Sequence, residues 1–191
     1  MLFRSVRLVV PFAPGGAADI IARAMNEPLN RGLGQSVIVE NKPGAGSSLA
    51  VDQVAKSAPD GYTIVIASQS GIIVNPLINK NVGYDSEKDL AAIIQVTRSP
   101  LVIAVHPGTV AARNVQELIA EAKKTANKLN FATSGNGSVP HLATMVFSGI
   151  TGAEMVHVPY KSGGLAVASV AAGDTHLTFA TSPSVMPQVQ A

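Results

Sequence analysis

Residues 6–23 read VRLVVPFAPGGAADIIAR, and the fold of this chain follows from that stretch. The apolar start predicts a short buried strand, which Pro11 and Pro14 end because proline fixes φ and has no N–H to donate. Gly15 and Gly16 let the backbone take positive φ, and the helix after them begins with N–H groups that have no partner within it. The turn is therefore a candidate anion-binding site. The alternative is an ordinary tight connection whose glycines serve geometry alone.

The composition indicates a compact globular protein. Of the 191 residues 47% are apolar and 14% charged, which speaks against disorder and allows one domain of average size or two small ones. The net charge is +2, the basic residues are scattered, and there are only three Tyr and five Phe. We therefore expect no nucleic-acid binding.

The sequence also limits membrane and redox roles. No apolar run approaches the roughly 18–20 residues that cross a bilayer, so the chain is not expected to span a membrane. Polar and helix-breaking residues interrupt the first 20 positions too early for a signal peptide. On that reading the chain is cytoplasmic, or a mature form without its leader. The absence of cysteine excludes disulfides, thiol catalysis and Cys-ligated zinc.

Strand-like and helix-like segments alternate along the chain, which predicts an α/β fold. Strands are predicted at 6–10, 37–40, 62–67, 91–96, 101–105, 129–133, 155–158 and 176–180. Helices are predicted at 16–31, 47–57, 72–78, 114–127, 139–147 and 164–172. Pro28 should kink the first helix or end it early. Ser47 or Ser48 is expected to cap the second, and Asn114 with Glu117 the fourth.

The alternation restarts at 97–100, which predicts two halves, 1–98 and 99–191, with a hinge near 97–100 and 181–183. Four strand-to-helix junctions are rich in Gly, Ser and Asn and nearly uncharged: 14–16, 68–70, 134–138 and 161–164. Ligands of open α/β sheets bind beyond the carboxyl ends of the strands. If the halves face each other, all four junctions meet in one cleft, which would hold an anion by N–H groups and hydroxyls. The alternative is that any α/β protein has such junctions.

Catalysis is poorly supported. The chain has no G-x-S-x-G elbow, no phosphate-binding loop and no G-x-G-x-x-G fingerprint after the first strand. The four histidines lack metal-ligand spacing and are interpreted as structural, although His141 lies beside the 134–138 loop and could reach a cleft. Asp19 is better explained by the dipole of the first helix turn than as a general base. We predict no catalytic residue, metal or cofactor.

Several motifs together resemble the substrate-binding receptors of tripartite tricarboxylate transporters, the TctC or Bug family. They are VVPFAPGGAAD at 9–19, VENKPGAG at 39–46, PDGYT at 59–63, SGNGS at 134–138 with His141, and VPYKSGG at 158–164. They run in order from about residue 5 to residue 190.

This resemblance implies a two-lobed fold of the periplasmic-binding-protein type (type II), each lobe a mostly parallel sheet flanked by helices. The family's mature chains are longer, so this fold would be incomplete at its C-terminus. The resemblance further implies a periplasmic receptor, expected to be a monomer. It would bind a small organic carboxylate (a di- or tricarboxylate, an acidic amino acid or an aromatic acid) and deliver it to integral-membrane permease subunits. An α/β enzyme acting on a small anion is the rival, and a regulatory domain would need a DNA-binding segment that the chain lacks.

In that family the ligand carboxylate lies on the turn that matches 12–17, and the other three junctions complete the pocket. The ligand-binding residues predicted on this basis are Phe12, Ala13, Gly15, Gly16, Ala17, Asp19, Ser68, Gln69, Ser70, Ser134, Gly135, Asn136, Gly137, Ser138, His141, Lys161, Ser162, Gly163 and Thr181.

Overall fold

A computed structural model describes residues 4–124 and 129–190. The chain divides into two compact units, residues 1–97 and 98–191. Both are α/β, as the alternation predicts. Within the described ranges, no helix combines the length and the apolar character that a bilayer crossing requires.

The first unit is a three-stranded parallel sheet with helices between its strands. Its elements are β1 (Val6–Val10), α1 (Ala17–Leu33), β2 (Val37–Asn41), α2 (Ser48–Ala55), β3 (Thr63–Val65) and α3 (Asn75–Ile78). A short 3-10 turn (Ala45–Ser47) precedes α2, and a π-helical turn (Ser70–Val74) precedes α3. The strand order is β2-β1-β3, with Val6 opposite Val37 and Leu8 opposite Ile64.

The central strand β1 carries the core of the first unit. Leu8, Val9 and Val10 are at most 2% exposed, and Ala22 of α1 and Val37 of β2 pack into the same core. This burial explains why residues 6–10 are apolar except for Arg7, since a central parallel strand is covered on both faces.

The second unit is a four-stranded mixed sheet. Its elements are β4 (Leu101–Val105), α4 (Val115–Lys124), β5 (Asn130–Thr133), α5 (Val139–Thr151), β6 (Val156–Pro159), α6 (Gly163–Ala171), β7 (Leu177–Thr181) and α7 (Ser182–Val189). The order is β4-β7-β5-β6, and only the β4–β7 pair is antiparallel. Leu118, Phe131, Leu177 and Phe179 form its main core.

One predicted strand is wrong. Residues 91–96 adopt no regular structure and are exposed, with Ile93 and Ile94 each 77% accessible. Within the ranges that the structure describes, no strand pairs with this segment. An apolar run becomes a strand only when a neighbour satisfies its backbone hydrogen bonds, and composition does not reveal whether that neighbour exists.

Helix ends differ from the predictions in two places. Helix α1 does not end at Pro28 but continues to Leu33, where Gly34 closes it with φ +60°. Ser47 precedes α2 in a left-handed conformation (φ +85°) and makes no side-chain cap. The Asn114 cap is confirmed: its Oδ1 accepts the Glu117 N–H at 2.9 Å. The predicted end of that helix, at 127, lies outside the described residues.

Candidate functional site

The first unit brings its loops to one edge of its sheet. Because β1, β2 and β3 are parallel, their carboxyl ends share an edge. The segments that follow them are the glycine turn 11–16, the loop 42–47 and the segment 66–70. The predicted residues Phe12 to Asp19 and Ser68 to Ser70 therefore belong to this edge.

The glycine turn needs only one glycine for its backbone. Gly15 has φ +84°, which favours glycine, whereas Gly16 has φ −84°, which any residue adopts, so the expectation for Gly16 is wrong. Gly16 is the N-cap of α1 and makes no side-chain cap. The first hydrogen bond of the helix is donated by Ile20 to the Gly16 carbonyl at 3.0 Å. The N-terminus of α1 thus begins at this edge without a side chain over it.

The Asp19 side chain stabilises the glycine turn. Its side chain is 5% exposed and accepts the Gly15 N–H at 3.0 Å, the Arg23 Nε–H at 3.0 Å and the Asn41 side-chain N–H at 2.9 Å. Burial alone would raise the pKa of Asp19, but these hydrogen bonds and the Arg23 charge outweigh it and hold that pKa below its ordinary value. The Gly15 N–H is therefore already paired with Asp19.

Asn41 is a positioning residue that sequence reasoning did not select. The same side-chain N–H₂ group that reaches Asp19 donates to the Phe12 carbonyl at 2.9 Å, which joins the end of β2 to the turn after β1. Its place directly after a predicted strand, in the VENKPGAG motif, was the available signal.

The loop after β2 forms a second rigid feature of this edge. Ala45 and Ser47 take positive φ (+46° and +85°), a costly conformation for residues with a Cβ. Ser47 Oγ lies 2.7 Å from Ser68 Oγ, and the Asn75 amide donates to the Gly46 carbonyl at 2.9 Å. Two further predicted residues differ in exposure, since Gln69 is exposed and Ser70 is buried.

The second unit gathers three helix starts at one edge. The parallel strands β5, β6 and β7 end there, and α5, α6 and α7 begin. Ser138 Oγ accepts the His141 N–H at 3.3 Å, and Ser162 Oγ accepts the Leu165 N–H at 3.2 Å. Both serines are fully buried. Although both were predicted as ligand contacts, their hydroxyls cap their own helices.

Other predicted residues of this edge remain accessible. Lys161 and Asn136 are exposed, while Ser134, Gly135 and Gly163 are half-buried. Gly137 is buried. Thr181 is the N-cap of α7 but makes no side-chain cap, and its Oγ1 lies 3.2 Å from Ser184 Oγ.

The histidines lie in structural contacts. His106 Nδ1 accepts the Gly108 N–H at 3.2 Å, and His176 Nδ1 lies 2.8 Å from Asn130 Oδ1. His141 stacks on His157, with ring centroids 4.2 Å apart. In the part of the chain that the structure describes, no group of three or more His, Cys, Asp or Glu gathers as a metal site.

Comparison with known proteins gives a family match over most of the chain. The model described as "Tripartite tricarboxylate transporter family receptor", TctC, matches residues 21–191. Protein BugT of Bordetella pertussis is 34% identical over 188 residues, which are 98% of this chain and 57% of BugT. The protein from the tcbD-tcbE intergenic region of Pseudomonas sp. strain P51 is 36% identical over 170 residues, 89% of this chain and 50% of that protein. The chain thus spans between half and three-fifths of these relatives.

Solved structures of similar proteins give the same result. A periplasmic transporter is 40% identical with a TM-score of 0.87, over 97% of this chain and 62% of its own. The Rhodopseudomonas palustris protein Rpa4515, solved with adipate, is 33% identical with a TM-score of 0.92. The match covers 99% of this chain and 63% of Rpa4515. MatC of the same organism, with bound malate, is 25% identical with a TM-score of 0.92. The match covers 100% of this chain and 64% of MatC. These relatives are solute-binding receptors, not enzymes.

Proposed function

The chain belongs to the tripartite tricarboxylate transporter receptor family, and on that basis we propose that it is an extracytoplasmic receptor for a small organic carboxylate. The candidate ligands are di- and tricarboxylates, acidic amino acids and aromatic acids. Two neighbours with this fold hold adipate and malate, which supports the ligand class. The family description further supports a handover of the ligand to the membrane permease of a tripartite transporter, in the periplasm.

The start of α1 carries this proposal. The N–H groups of Ala17 and Ala18 have no partner within the helix, no side chain caps them, and the 17-residue helix places its positive dipole end there. Since Asp19 takes the Gly15 N–H, these helix N–H groups are the donors assigned to the ligand carboxylate. A hydrogen bond to a charged group contributes roughly 1.5–3 kcal/mol, so two or three such bonds account for much of a micromolar affinity.

The remaining contacts are proposed from accessibility. We assign further donors to Ser68 and Gln69 in the first unit and to Asn136 and Lys161 in the second. The hinge at 97–100 and 181–183 stays a prediction. Asp19, Ser138 and Ser162 are reassigned from ligand contacts to residues that position the backbone, because their polar groups bond to backbone N–H groups.

Substitution of Gly16 tests the proposal. Gly16→Asp leaves the φ of −84° acceptable and adds an N-cap carboxylate, and because Gly16 is buried, the free energy of unfolding is measured beside the affinity. The new carboxylate would occupy the ligand's place, so we expect affinity for malate or adipate to fall more than about tenfold. Isothermal titration calorimetry measures the affinity, after native mass spectrometry has identified any anion that copurifies.

Two matched variants complete the test. Gly32→Asp adds the same charge near the other end of α1, in open space, and should leave the affinity unchanged. Gly16→Ser caps the helix without adding a charge and should weaken binding less than Gly16→Asp. Equal affinity of Gly16→Asp and the wild type would refute the assignment of α1.

A further inference from the structure

The loop 134–138 is held in place at its two glycines. Gly135 and Gly137 have φ +112° and +72°, so the loop adopts a conformation that depends on glycine twice within three residues. Each glycine N–H is paired with a side chain outside the loop: Gly135 with Thr133, and Gly137 with His141. The conformation of this loop therefore depends on these two side chains.

Thr133 connects the first glycine to an imidazole. Thr133 Oγ1 accepts the Gly135 N–H at 3.1 Å and lies 2.6 Å from His157 Nε2. A neutral His157 can accept the Thr133 hydroxyl proton at Nε2, whereas a protonated one can only donate there. A protonated His157 would donate to Thr133 Oγ1, and the Thr133 hydroxyl would then donate to the Gly135 carbonyl, 3.4 Å away, while Oγ1 still accepts the Gly135 N–H.

His141 holds the second glycine directly. Its Nδ1 accepts the Gly137 N–H at 3.3 Å, so the neutral ring carries its proton on Nε2. A proton added at Nδ1 would face the Gly137 N–H, donor against donor, and that hydrogen bond would be lost.

The two imidazoles are packed against each other. Their centroids are 4.2 Å apart, and the Phe131 ring stacks on His157 at 4.9 Å. The neighbouring strand β5 contributes Phe131 and Thr133, neither of which titrates near neutral pH. Burial lowers the pKa of both histidines, and the charge of His141 lowers that of His157 further, to about 4. No other ionisable group of the described residues acts on either pKa, so a single proton on this pair is opposed by burial and a second by repulsion.

We propose that Thr133, His141 and His157 are positioning residues of the 134–138 loop, and that proton uptake at His141 releases the Gly137 N–H. This inference deepens the proposed function, on which it rests only for its effect on ligand affinity. None of the three residues need contact the ligand, because they act through the loop backbone.

A pH titration followed by NMR of the ¹⁵N-labelled chain tests the proposal without any ligand. The Gly137 amide signal should shift together with the His141 ring signals, with a midpoint below 6.5. In His141→Asn, the Asn Oδ1 can accept the Gly137 N–H but does not titrate. The Gly137 shift at acid pH should then disappear, while His141→Ala should move the Gly137 signal at neutral pH.

His106→Asn is the matched control. His106 also accepts a glycine N–H at Nδ1, two residues along the chain, and stacks on no other ring among the described residues. This variant should leave the Gly137 titration unchanged. A Gly137 amide signal that does not change with pH while the histidine rings titrate would overturn the proposal. An unchanged Gly137 signal in His141→Ala would also overturn it.

Binding of malate or adipate gives the second readout. Between pH 7 and pH 4.5, wild-type affinity should fall further than that of His141→Asn, because only the wild type loses the loop hydrogen bond. The ratio of the two dissociation constants cancels the titration of the ligand itself. Binding of neither acid at neutral pH, with the NMR titration as expected, would exclude malate and adipate as ligands and retain the positioning role. An equal fall in both proteins would refute the effect on affinity.

Discussion

The carboxylate of Asp19 accepts the backbone N–H of Gly15 at 3.0 Å, within the turn that opens α1. The first-turn acid of the helix is thereby directed back at the glycine turn and away from the helix axis. Since Arg23 and Asn41 bond to the same carboxylate, its charge is compensated inside the protein. An incoming anion would therefore meet the N–H groups of Ala17 and Ala18 beside a neutralised acid.

Replacement of Asp19 should destabilise the first unit. Asp19→Asn removes the charge that Arg23 pairs with in a site that is 5% exposed, so we expect the free energy of unfolding to fall by about 1–3 kcal/mol. Urea denaturation measures the change. Glu27→Gln is the control on the same helix, because the Glu27–Arg31 pair has the same spacing but is 73% and 77% exposed. Its effect should stay within about 0.5 kcal/mol, and equal losses in both variants would contradict this account.

The free energy of unfolding at acid pH should depend on the ionisation of Asp19. Its folded pKa lies below its ordinary value of 3.8, so its contribution is present above that value and is lost as the pH falls through the lower folded value. The wild type should therefore lose stability more steeply below pH 4 than Asp19→Asn does. Urea midpoints between pH 2.5 and pH 5 measure the difference. Parallel curves for the two proteins would contradict the lowered pKa.

Two glycines of the α1 region should respond to alanine in opposite ways. Gly15→Ala finds no atom within 4 Å of the new Cβ but must hold φ +84°, so it should cost about 1–2 kcal/mol from backbone conformation alone. Gly32→Ala, also in open space but helical, should stabilise the protein by about 0.5–1 kcal/mol. Thermal unfolding of both variants measures the contrast. A stabilised Gly15→Ala would show that the turn adopts another conformation.

The caps of α5 and α6 should be structural. Ser138→Ala and Ser162→Ala each remove a buried hydroxyl that accepts a helix N–H, and each should cost about 1 kcal/mol of stability. Chemical denaturation without ligand provides the measurement. No loss in either alanine variant would return these serines to the role of ligand donors.

The histidine pair should make the second unit sensitive to acid. The folded pKa of His157, about 4, is below its ordinary value of 6.5, so the unfolded chain takes up this proton first. The free energy of unfolding should then decline between about pH 6.5 and pH 4 and level off below. In His157→Gln that decline should be smaller. Equal slopes in the two proteins would contradict the lowered pKa of His157.

Local patterns predicted most elements because their causes are local. The apolar run of β1 and the Asn114–Glu117 capping box depend on neighbours within a few residues, and both are confirmed. The strand predicted at 91–96 is wrong for the opposite reason, because strand formation there would require a neighbouring strand from another part of the chain. For the candidate site, the sequence identified the junctions, but whether a given side chain binds a ligand stays a prediction.

By itself, the sequence determined the α/β alternation, the uncharged strand-to-helix junctions and the family. Proline, glycine and apolar periodicity act over short distances and leave a trace in the order of residues. Only the tertiary structure decided that Asp19, Ser138 and Ser162 hold the backbone, that Asn41 joins two loops, and that His141 stacks on His157. Each of these roles depends on hydrogen bonds or packing between residues that are distant in sequence or set by the local backbone. A serine or an aspartate can bond either to a ligand or to the protein's own N–H groups, and the residue type alone does not tell which.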